Sequence, residues 1–320
     1  MKALVTGATG FIGSHLCEEL VRRGYLVTCL VREKSNLKWI ENIDLKLIIG
    51  DCKDIESLSL PVSDNDYVFH LAGLTKACSR NEFFCANTAG TENLIKAVAE
   101  KNPKIKRFVY LSSLAAAGPS SNGSPLSEGS EPRPVSSYGR SKLEGEKAVL
   151  KYKDAVPITI LRPSAVYGPR DRDFFIFFKM LKNGVFPYWG KCYYSLLYVD
   201  DLVQGIILAA ESKKAEGGMY FLADSKVYTN DEIVNAISSA LGTSAIRIRV
   251  PRFIMPLFAY IGERIKGPGI INRDKMNELI HSHWLCDNKK AKEELGFIPK
   301  VGIKEGMKWT ADWYRIHRWL

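Results

Sequence analysis

The chain has 320 residues, enough to bury a large core and to form one large domain with a smaller one. It is 46% hydrophobic and 25% charged, which is typical of a soluble globular protein. The net charge is +10, but the lysines and arginines are scattered and form no dense basic run. This pattern favours a solvated surface that serves anionic small molecules over a nucleic-acid-binding site.

The seven cysteines show no CxxC pair and no metal-ligand spacing. They predict reduced thiols, no metal site and a reducing, cytoplasmic location. The first predicted strand begins at Met1, which leaves no room for a signal peptide. The longest apolar run, residues 253–261, is too short to span a bilayer. We expect it to pack inside a small domain, with peripheral membrane contact as the less favoured alternative.

The first residues predict a buried strand, a glycine-rich turn and an amphipathic helix over residues 14–23. Gly7, Gly10 and Gly13 have the spacing of a dinucleotide-binding turn. In such a turn the first glycine permits the tight bend and the second lets the backbone approach a pyrophosphate. The third allows close packing of helix and strand, and the helix N-terminus offers free N–H groups to the phosphates.

The end of the second predicted strand, residues 25–31, bears on which nicotinamide cofactor is bound. An acidic residue there would bind the adenosine ribose hydroxyls. This chain has Val31 and then Arg32, with Lys34 and Ser35 close behind. Because a guanidinium can bind a 2′-phosphate, the sequence favours NADP, while NAD stays open.

Further strands are predicted at residues 45–49, 67–71 and 107–111, with a long helix over residues 79–101. Strands that alternate with helices predict an α/β fold with a Rossmann-type, doubly wound parallel sheet. Ligands bind outside the carboxyl ends of such strands, where Asp51, Cys52, Ala72 and Gly73 lie. His70 alternates into an apolar strand, so we expect a core histidine with satisfied hydrogen bonds rather than a catalyst.

A polar loop rich in glycine, serine and proline follows over residues 118–134, and we expect it to cover one side of a cleft without packing. Tyr138 and Lys142 then open a predicted helix that runs to about residue 152. Their i, i+4 spacing puts the phenol and the ammonium on one helical face. A nearby ammonium favours a phenolate, so this pair could carry out proton transfer, although the spacing alone is common by chance.

Together, the glycine turn, Ser112-Ser113 and the Tyr138/Lys142 pair resemble the extended short-chain dehydrogenase/reductase family. The resemblance continues through Leu161-Arg162-Pro163 to the end of the chain. This family includes NAD(P)-dependent epimerases and dehydratases, and the pattern is most similar to 3β-hydroxysteroid dehydrogenases and dihydroflavonol reductases. The resemblance implies that Tyr138 exchanges the proton, that Ser113 holds the substrate oxygen, and that Lys142 also binds the nicotinamide ribose.

The expected cofactor contacts lie in the glycine turn, at the ends of parallel strands and, for Lys142, on the helix that Tyr138 opens. They are Gly7, Thr9, Gly10, Phe11, Ile12, Gly13, Arg32, Asp51, Cys52, Leu71, Ala72, Gly73, Lys142 and Pro163.

The resemblance also divides the chain into two domains. Residues 1–170 and 195–225 are expected to form the nucleotide-binding domain. Residues 171–194 and 226–320 are expected to form a smaller, mostly helical substrate-binding domain. The family often forms homodimers, which predicts a homodimer through the helices at about 79–101 and 137–152.

Two departures from the family pattern concern the reaction. Sugar-nucleotide dehydratases carry Asp-Glu after the strand-end serine or threonine, where this chain has Leu114-Ala115. Many sugar-nucleotide enzymes also place a diphosphate-binding arginine seven residues before Asp201, where this chain has Tyr194. Tyr194 and Thr75 are the expected substrate contacts, and an aromatic-rich stretch surrounds Tyr194. Nearby Arg170, Arg172 and Lys191 could restore the missing charge.

These observations predict an NADP-preferring oxidoreductase that reduces a ketone, or oxidises a secondary alcohol, on a partly apolar small molecule. The main alternative is an NDP-sugar epimerase that retains its cofactor. A nucleotide-sensing regulator on the same fold is less favoured, because a sensor has no need of Ser113, Tyr138 and Lys142.

Overall fold

The structure is a computed structural model that describes residues 1–251 and 273–320. The apolar run at residues 253–261, which was expected to pack inside a small domain, lies outside the described residues. Within the described ranges, no helix combines the length and the apolar character needed to cross a membrane.

The main sheet has seven parallel strands in the order β10-β6-β5-β4-β1-β2-β3. This order confirms the predicted Rossmann-type, doubly wound sheet, in which the order of the parallel strands reverses between β1 and β4. The strands of this sheet are β1 Lys2–Thr6, β2 Leu26–Val31, β3 Lys46–Ile49, β4 Tyr67–His70, β5 Arg107–Leu111, β6 Ile158–Pro163 and β10 Met219–Leu222.

Twelve α-helices are seen in the described residues. They are α1 Phe11–Arg22, α2 Ser59–Val62, α3 Arg80–Phe84, α4 Gly90–Lys101, α5 Leu114–Ala117, α6 Ser137–Leu150, α7 Asp173–Lys182, α8 Val199–Glu211, α9 Asn230–Leu241, α10 Arg273–Leu279, α11 Lys289–Leu295 and α12 Ile303–Ile316. The predicted helix over residues 79–101 is interrupted by one π-helical turn, Cys85–Ala89. The first helix starts at Phe11, three residues earlier than predicted, directly after Gly10.

Helices cover both faces of the main sheet, as buried parallel strands require. One apolar cluster joins α1 and α8 to the sheet through side chains such as Leu16 and Ile206. Another joins α4 and α6 to the opposite face through side chains such as Leu94 and Val149. The central strands are therefore enclosed, although the edge strand β3 is largely exposed, and the strand ends are open to a ligand.

Residues 229–320, expected to be mostly helical, also contribute strands. Two smaller sheets are built from β7 Ala165–Tyr167, β8 Val185–Tyr188, β9 Tyr193–Tyr198, β11 Val227–Thr229, β12 Ile246–Arg249 and β13 His283–Trp284. Strand β9 pairs with β7, β11 and β13, so it crosses residue 195, where a domain boundary was predicted. The two-domain division stays a prediction.

The polar loop at residues 118–134 is attached to the C-terminal part of the chain. The Ser120 N–H donates to the His283 carbonyl at 2.9 Å, and Leu126 pairs with Cys286. Ser120 is buried, so the expectation that this loop does not pack is wrong there. Backbone hydrogen bonds satisfy the polar groups that made packing look unfavourable.

A buried ion pair connects α6 to the sheet. Arg162, on β6, donates to both carboxylate oxygens of Glu146, on α6, at 2.8 and 2.6 Å. Each side chain is only 2% exposed. Ser112, just after β5, donates its hydroxyl to the same carboxylate. These contacts fix α6 against the ends of two central strands.

We predict that Glu146→Gln lowers the free energy of unfolding by about 3–5 kcal/mol, because it leaves Arg162 buried without a counter-ion. Glu144→Gln on the same helix is the control. Its partner Lys147 and its own side chain are largely exposed, so we expect a change within about 0.5 kcal/mol. Urea unfolding of both variants measures the difference, and equal losses would contradict the prediction.

Candidate active site

The glycine turn after β1 leaves no space for side chains at two positions. Gly7 has a φ of +76°, and a Cβ there would lie 2.7 Å from the backbone of Leu71 and Ala72. A Cβ on Gly13 would lie 2.1 Å from the Gly7 carbonyl oxygen. The turn therefore lies close to the end of β4 at Gly7, and α1 packs closely on the turn at Gly13.

Helix α1 begins at this turn without a side-chain cap. Gly10 is the N-cap residue and carries no side chain that could accept the first helical N–H groups. These N–H groups, together with the positive end of the helix dipole, form an anion-binding position. A dinucleotide pyrophosphate fits this position, because the backbone can be approached closely at Gly10.

The remaining predicted cofactor contacts lie along the same edge of the sheet. Strands β2, β3 and β4 are in register with β1, so their carboxyl ends meet there. Arg32 is exposed, Asp51 and Ala72 are half-buried, and Cys52 and Pro163 are buried. Thr9, Phe11 and Ile12 lie in the glycine turn or the first turn of α1, and Leu71 and Gly73 follow β4.

Arg32 and Cys52 come from different strand ends but lie near each other. Burial raises the pKa of the Cys52 thiol to about 12, and the positive charge of Arg32 opposes that rise. The Gly50 N–H after β3 donates to the Val31 carbonyl at 3.0 Å, so Arg32, the next residue, lies at the open edge beside the end of β3. This is the side of the turn on which the sequence predicted an adenosine 2′-phosphate.

Ser113, Tyr138 and Lys142 are brought together by β5 and α6. Ser113 follows β5 and caps α5, because its hydroxyl accepts the Ala115 N–H at 3.1 Å. Tyr138 lies in the first turn of α6, half-buried, with its phenol near enough to the Ser113 hydroxyl for that hydroxyl to lower the phenol's pKa. Lys142 is 4% exposed, and its Nζ donates to the Leu111 carbonyl at 2.6 Å.

The environment changes the pKa values of both ionisable groups. Desolvation raises the pKa of Tyr138 to about 12, although the hydrogen bond from Ser113 lowers it. Desolvation lowers the pKa of Lys142 to about 7, although the nearby Glu146 carboxylate raises it. The sequence led us to expect a lowered tyrosine pKa beside an ammonium. Burial of the phenol outweighs that effect, so Tyr138 is protonated at neutral pH.

His70 is a core residue, as the alternating strand pattern indicated. Its Nδ1 lies 2.7 Å from the Thr6 hydroxyl and its Nε2 lies 2.9 Å from the Thr91 hydroxyl. The ring is fully buried, and this burial lowers the His70 pKa to about 3. The imidazole is therefore neutral and fully hydrogen-bonded, and it joins β4 to β1 and α4.

Asn87, in the π-helical turn, was not recognised as part of the site from the sequence. Its amide oxygen accepts the Leu74 N–H at 2.7 Å, and its amide nitrogen donates to the Leu74 carbonyl and the Ser141 hydroxyl, both at 2.9 Å. Ser141 in turn donates to the Tyr138 carbonyl at 2.7 Å. The signal available in the sequence was a polar residue within a predicted helix, because a buried amide needs hydrogen-bond partners.

The expected substrate contacts occupy different surroundings. Thr75 is exposed after β4, and the next residue, Lys76, pairs with Asp173 at the start of α7. Tyr194 is half-buried on β9 and packs against the apolar cluster formed by α7, α9 and α12. The surrounding aromatic residues belong largely to the same cluster, as expected for most of them.

The three cations that could have replaced the missing arginine each contact another side chain. Arg170 donates to Glu18 and Ser14 on α1 and lies over the Trp39 ring. Arg172 lies over the Trp319 ring, and Lys191 lies over the Tyr193 ring. Arg170 therefore contributes to the junction between α1 and the chain after β7.

Comparisons with known proteins agree with this geometry. A family model described as the NAD dependent epimerase/dehydratase family matches residues 3–223. A ceramide reductase of Caulobacter vibrioides is 28% identical over 99% of this chain and 95% of its own. A UDP-glucose 4-epimerase of Vibrio cholerae is 27% identical over 97% of this chain and 94% of its own.

Solved structures agree as well. The UDP-glucuronic acid 4-epimerase of Bacillus cereus, solved with UDP-glucuronic acid and NAD, has a TM-score of 0.80 and 25% identity. The match covers 99% of this chain and 100% of that chain. Relatives named putative dihydroflavonol 4-reductase, from Synechocystis sp., and 3beta-hydroxysteroid-dehydrogenase/decarboxylase isoform 2, from Arabidopsis thaliana, are also found, as the sequence pattern indicated. The chain belongs to the NAD-dependent epimerase/dehydratase family, and it is an oxidoreductase or epimerase of that family.

Proposed function

We propose that the protein is an NADP-preferring reductase that converts a ketone on a partly apolar small molecule to a secondary alcohol, or catalyses the reverse oxidation. The observation that carries this proposal is the cluster of Ser113, Tyr138 and Lys142 at the end of β5. It provides a hydroxyl, a protonated phenol and a buried amine at the strand ends where a dinucleotide would lie.

The nicotinamide cofactor, when bound, supplies or accepts the hydride. The protein's own residues would hold it through the glycine turn, the N-terminus of α1 and the strand ends. A Cβ at Gly7 or Gly13 would fill space that the turn needs, which supports a role in close backbone approach. Arg32, exposed after β2, supports the preference for NADP because it can pair with a 2′-phosphate.

The catalytic residues have separate tasks in this proposal. Ser113 holds the carbonyl oxygen by a hydrogen bond, next to the phenol with which it already interacts. Tyr138 donates its proton to that oxygen as the ketone is reduced, and takes it back in the reverse reaction. Lys142, one helical turn away, orients the tyrosine and reaches toward the nicotinamide ribose from beside Gly73, where a Cβ would lie 3.7 Å from its Nζ.

The proposed substrate carries no nucleoside diphosphate. Two or three buried negative charges need paired cations. Tyr194 stands where sugar-nucleotide enzymes place an arginine, and the nearby Arg170 is committed to Glu18. Half-buried aromatic residues such as Phe174 and Trp189 offer an apolar surface instead. The ceramide reductase among the relatives is compatible with a substrate of this class.

We also propose the two-domain division, a homodimer and a cytoplasmic location. Seven free cysteines, of which five are buried, support a reducing compartment. For the dimer, the exposed Leu150 and the half-buried Phe84 are the available apolar contacts on the expected helices. Phe83 does not contribute, because it is buried against the Tyr138 ring.

We predict that Tyr138→Phe keeps the fold and the affinity for NADPH but lowers turnover by about 10²–10⁴-fold, the usual loss for a general acid–base. The assay follows NADPH consumption with a series of aliphatic methyl ketones of increasing chain length. Tyr152→Phe, just beyond the same helix, is the control and should retain activity. Near-native turnover by Tyr138→Phe would place the chemistry elsewhere.

We expect Arg32→Ala to weaken NADPH binding at least about tenfold, since a hydrogen bond to a charged group contributes about 1.5–3 kcal/mol. NADH binding should change little, because NADH lacks the 2′-phosphate. Fluorescence titration with each cofactor measures both affinities. Arg133→Ala removes another exposed arginine and should change neither affinity. Equal or tighter binding of NADH by the unmodified protein would refute the NADP preference.

An NDP-sugar epimerase is the second candidate, favoured by the whole-chain match to the Bacillus cereus epimerase. The two functions differ in their need for a diphosphate site. Our proposal predicts no micromolar binding of UDP, GDP or dTDP by calorimetry in the presence of NADP. Micromolar binding that is lost in Arg170→Ala, Arg172→Ala or Lys191→Ala would favour the epimerase.

A further inference from the structure

Helix α10 packs against the first turn of α6, the helix that carries Tyr138. The Asp274 carboxylate accepts the backbone N–H groups of Ser137 and Tyr138, the latter at 3.0 Å. Glu278 accepts the Ser136 hydroxyl at 2.8 Å, while the Ser136 oxygen accepts the Gly139 N–H at 3.0 Å. Three otherwise unpaired N–H groups of the first turn are therefore satisfied, two of them by a segment distant in sequence.

Helix α10 is itself fixed in place on its other side. The Trp284 indole N–H donates to the Glu278 carbonyl at 3.0 Å. Met276 is buried, and Trp189 and Leu279 pack against it. Trp189 belongs to the segment expected to bind substrate. Helix α10 thus connects that segment to the start of the catalytic helix.

We propose that Asp274 and Glu278 are positioning residues for Tyr138: they hold the first turn of α6 in place through its backbone and Ser136, and they set two carboxylates beside the turn that carries the phenol. This inference rests on the proposed role of Tyr138 as the proton donor. Carboxylates also interact favourably with the N-terminus of a helix, so the same contacts stabilise α6.

Two carboxylates from different helices affect the pKa of Tyr138 in the same direction. Glu278 on α10 and Asp173 on α7 both raise its pKa, in addition to the larger effect of desolvation. Lys76 pairs with Asp173, and Lys275 pairs with Glu278, so each of these cations is beside a carboxylate. Lys142 follows on α6 with its Nζ on the Leu111 carbonyl, and Asp274 is bound to the backbone of the first turn. Removal of the Glu278 charge should therefore lower the Tyr138 pKa.

The direct test is an NMR titration of the protein with NADP bound, with tyrosine Cζ isotopically labelled and the Tyr138 signal assigned by its loss in Tyr138→Phe. In Glu278→Gln, which keeps an acceptor for Ser136, we expect the Tyr138 pKa to fall by about 1 unit, the low end of the range for a nearby charge, because Lys275 already offsets part of the Glu278 charge. Glu293→Gln, which changes an exposed side chain on α11, is the control and should leave the Tyr138 pKa unchanged. An unchanged Tyr138 pKa in Glu278→Gln would overturn the proposal.

A kinetic test addresses Asp274. Asp274→Asn should lower kcat several-fold while the KM for NADPH stays the same, and Asp274→Glu should recover part of the loss. A variant that loses thermal stability at full kcat would show a merely structural cap and would overturn the positioning role of Asp274. If Tyr138→Phe itself remained active, the proposed function would fail, whereas the NMR titration would still decide whether Glu278 controls the phenol.

Discussion

The buried ion pair between Glu146 and Arg162 is the contact on which the site geometry depends. Both side chains are almost fully excluded from water, so each needs the other's charge. The pair joins α6 to β6, and Ser112 at the end of β5 binds the same carboxylate. Ser113 is the next residue, and Tyr138 is two helical turns before Glu146. The distance between the two proposed catalytic hydroxyls is therefore set by a charge pair buried beneath them.

A second set of buried polar contacts fixes the other side of α6. Asn87 binds both the loop after β4, through Leu74, and α6, through Ser141. Lys142 binds the Leu111 carbonyl at the end of β5. Because buried polar groups are costly when unpaired, these contacts tolerate little displacement. They support a preorganised site, in which the phenol and the amine are in position before a ligand arrives.

The parts of this protein that were predicted from the sequence are those set by local spacing. Gly7 and Gly13 lie six residues apart in one turn, and Tyr138 and Lys142 lie one helical turn apart, so their pattern is visible in the chain itself. The sheet was predictable because buried parallel strands form short apolar runs between helices. His70 was recognised as a core residue because its strand is apolar on both sides.

The parts that were missed depend on contacts between distant segments. Asp274 meets Tyr138 across 136 residues, and no local pattern marks that contact. Arg170 could have faced a substrate phosphate, but its side chain turns to Glu18 on α1. Strand β9 was not predicted within the aromatic-rich stretch. Apolar residues occupy both of its faces, so the alternation of polar and apolar residues that marks a strand is obscured. Tertiary packing decides each of these cases.

The protonation state of Tyr138 affects whether such a site favours ketone reduction or alcohol oxidation. Its raised pKa, about 12, means that the phenol keeps its proton at neutral pH. A ketone that receives a hydride becomes an alkoxide, which is a stronger base than a phenolate and takes this proton readily. An epimerase must also withdraw a proton from an alcohol in every cycle, and therefore needs the phenolate. Glu278 and Asp173 disfavour the phenolate, so in the proposed reductase these carboxylates would favour the protonated phenol that gives its proton to the reduced ketone.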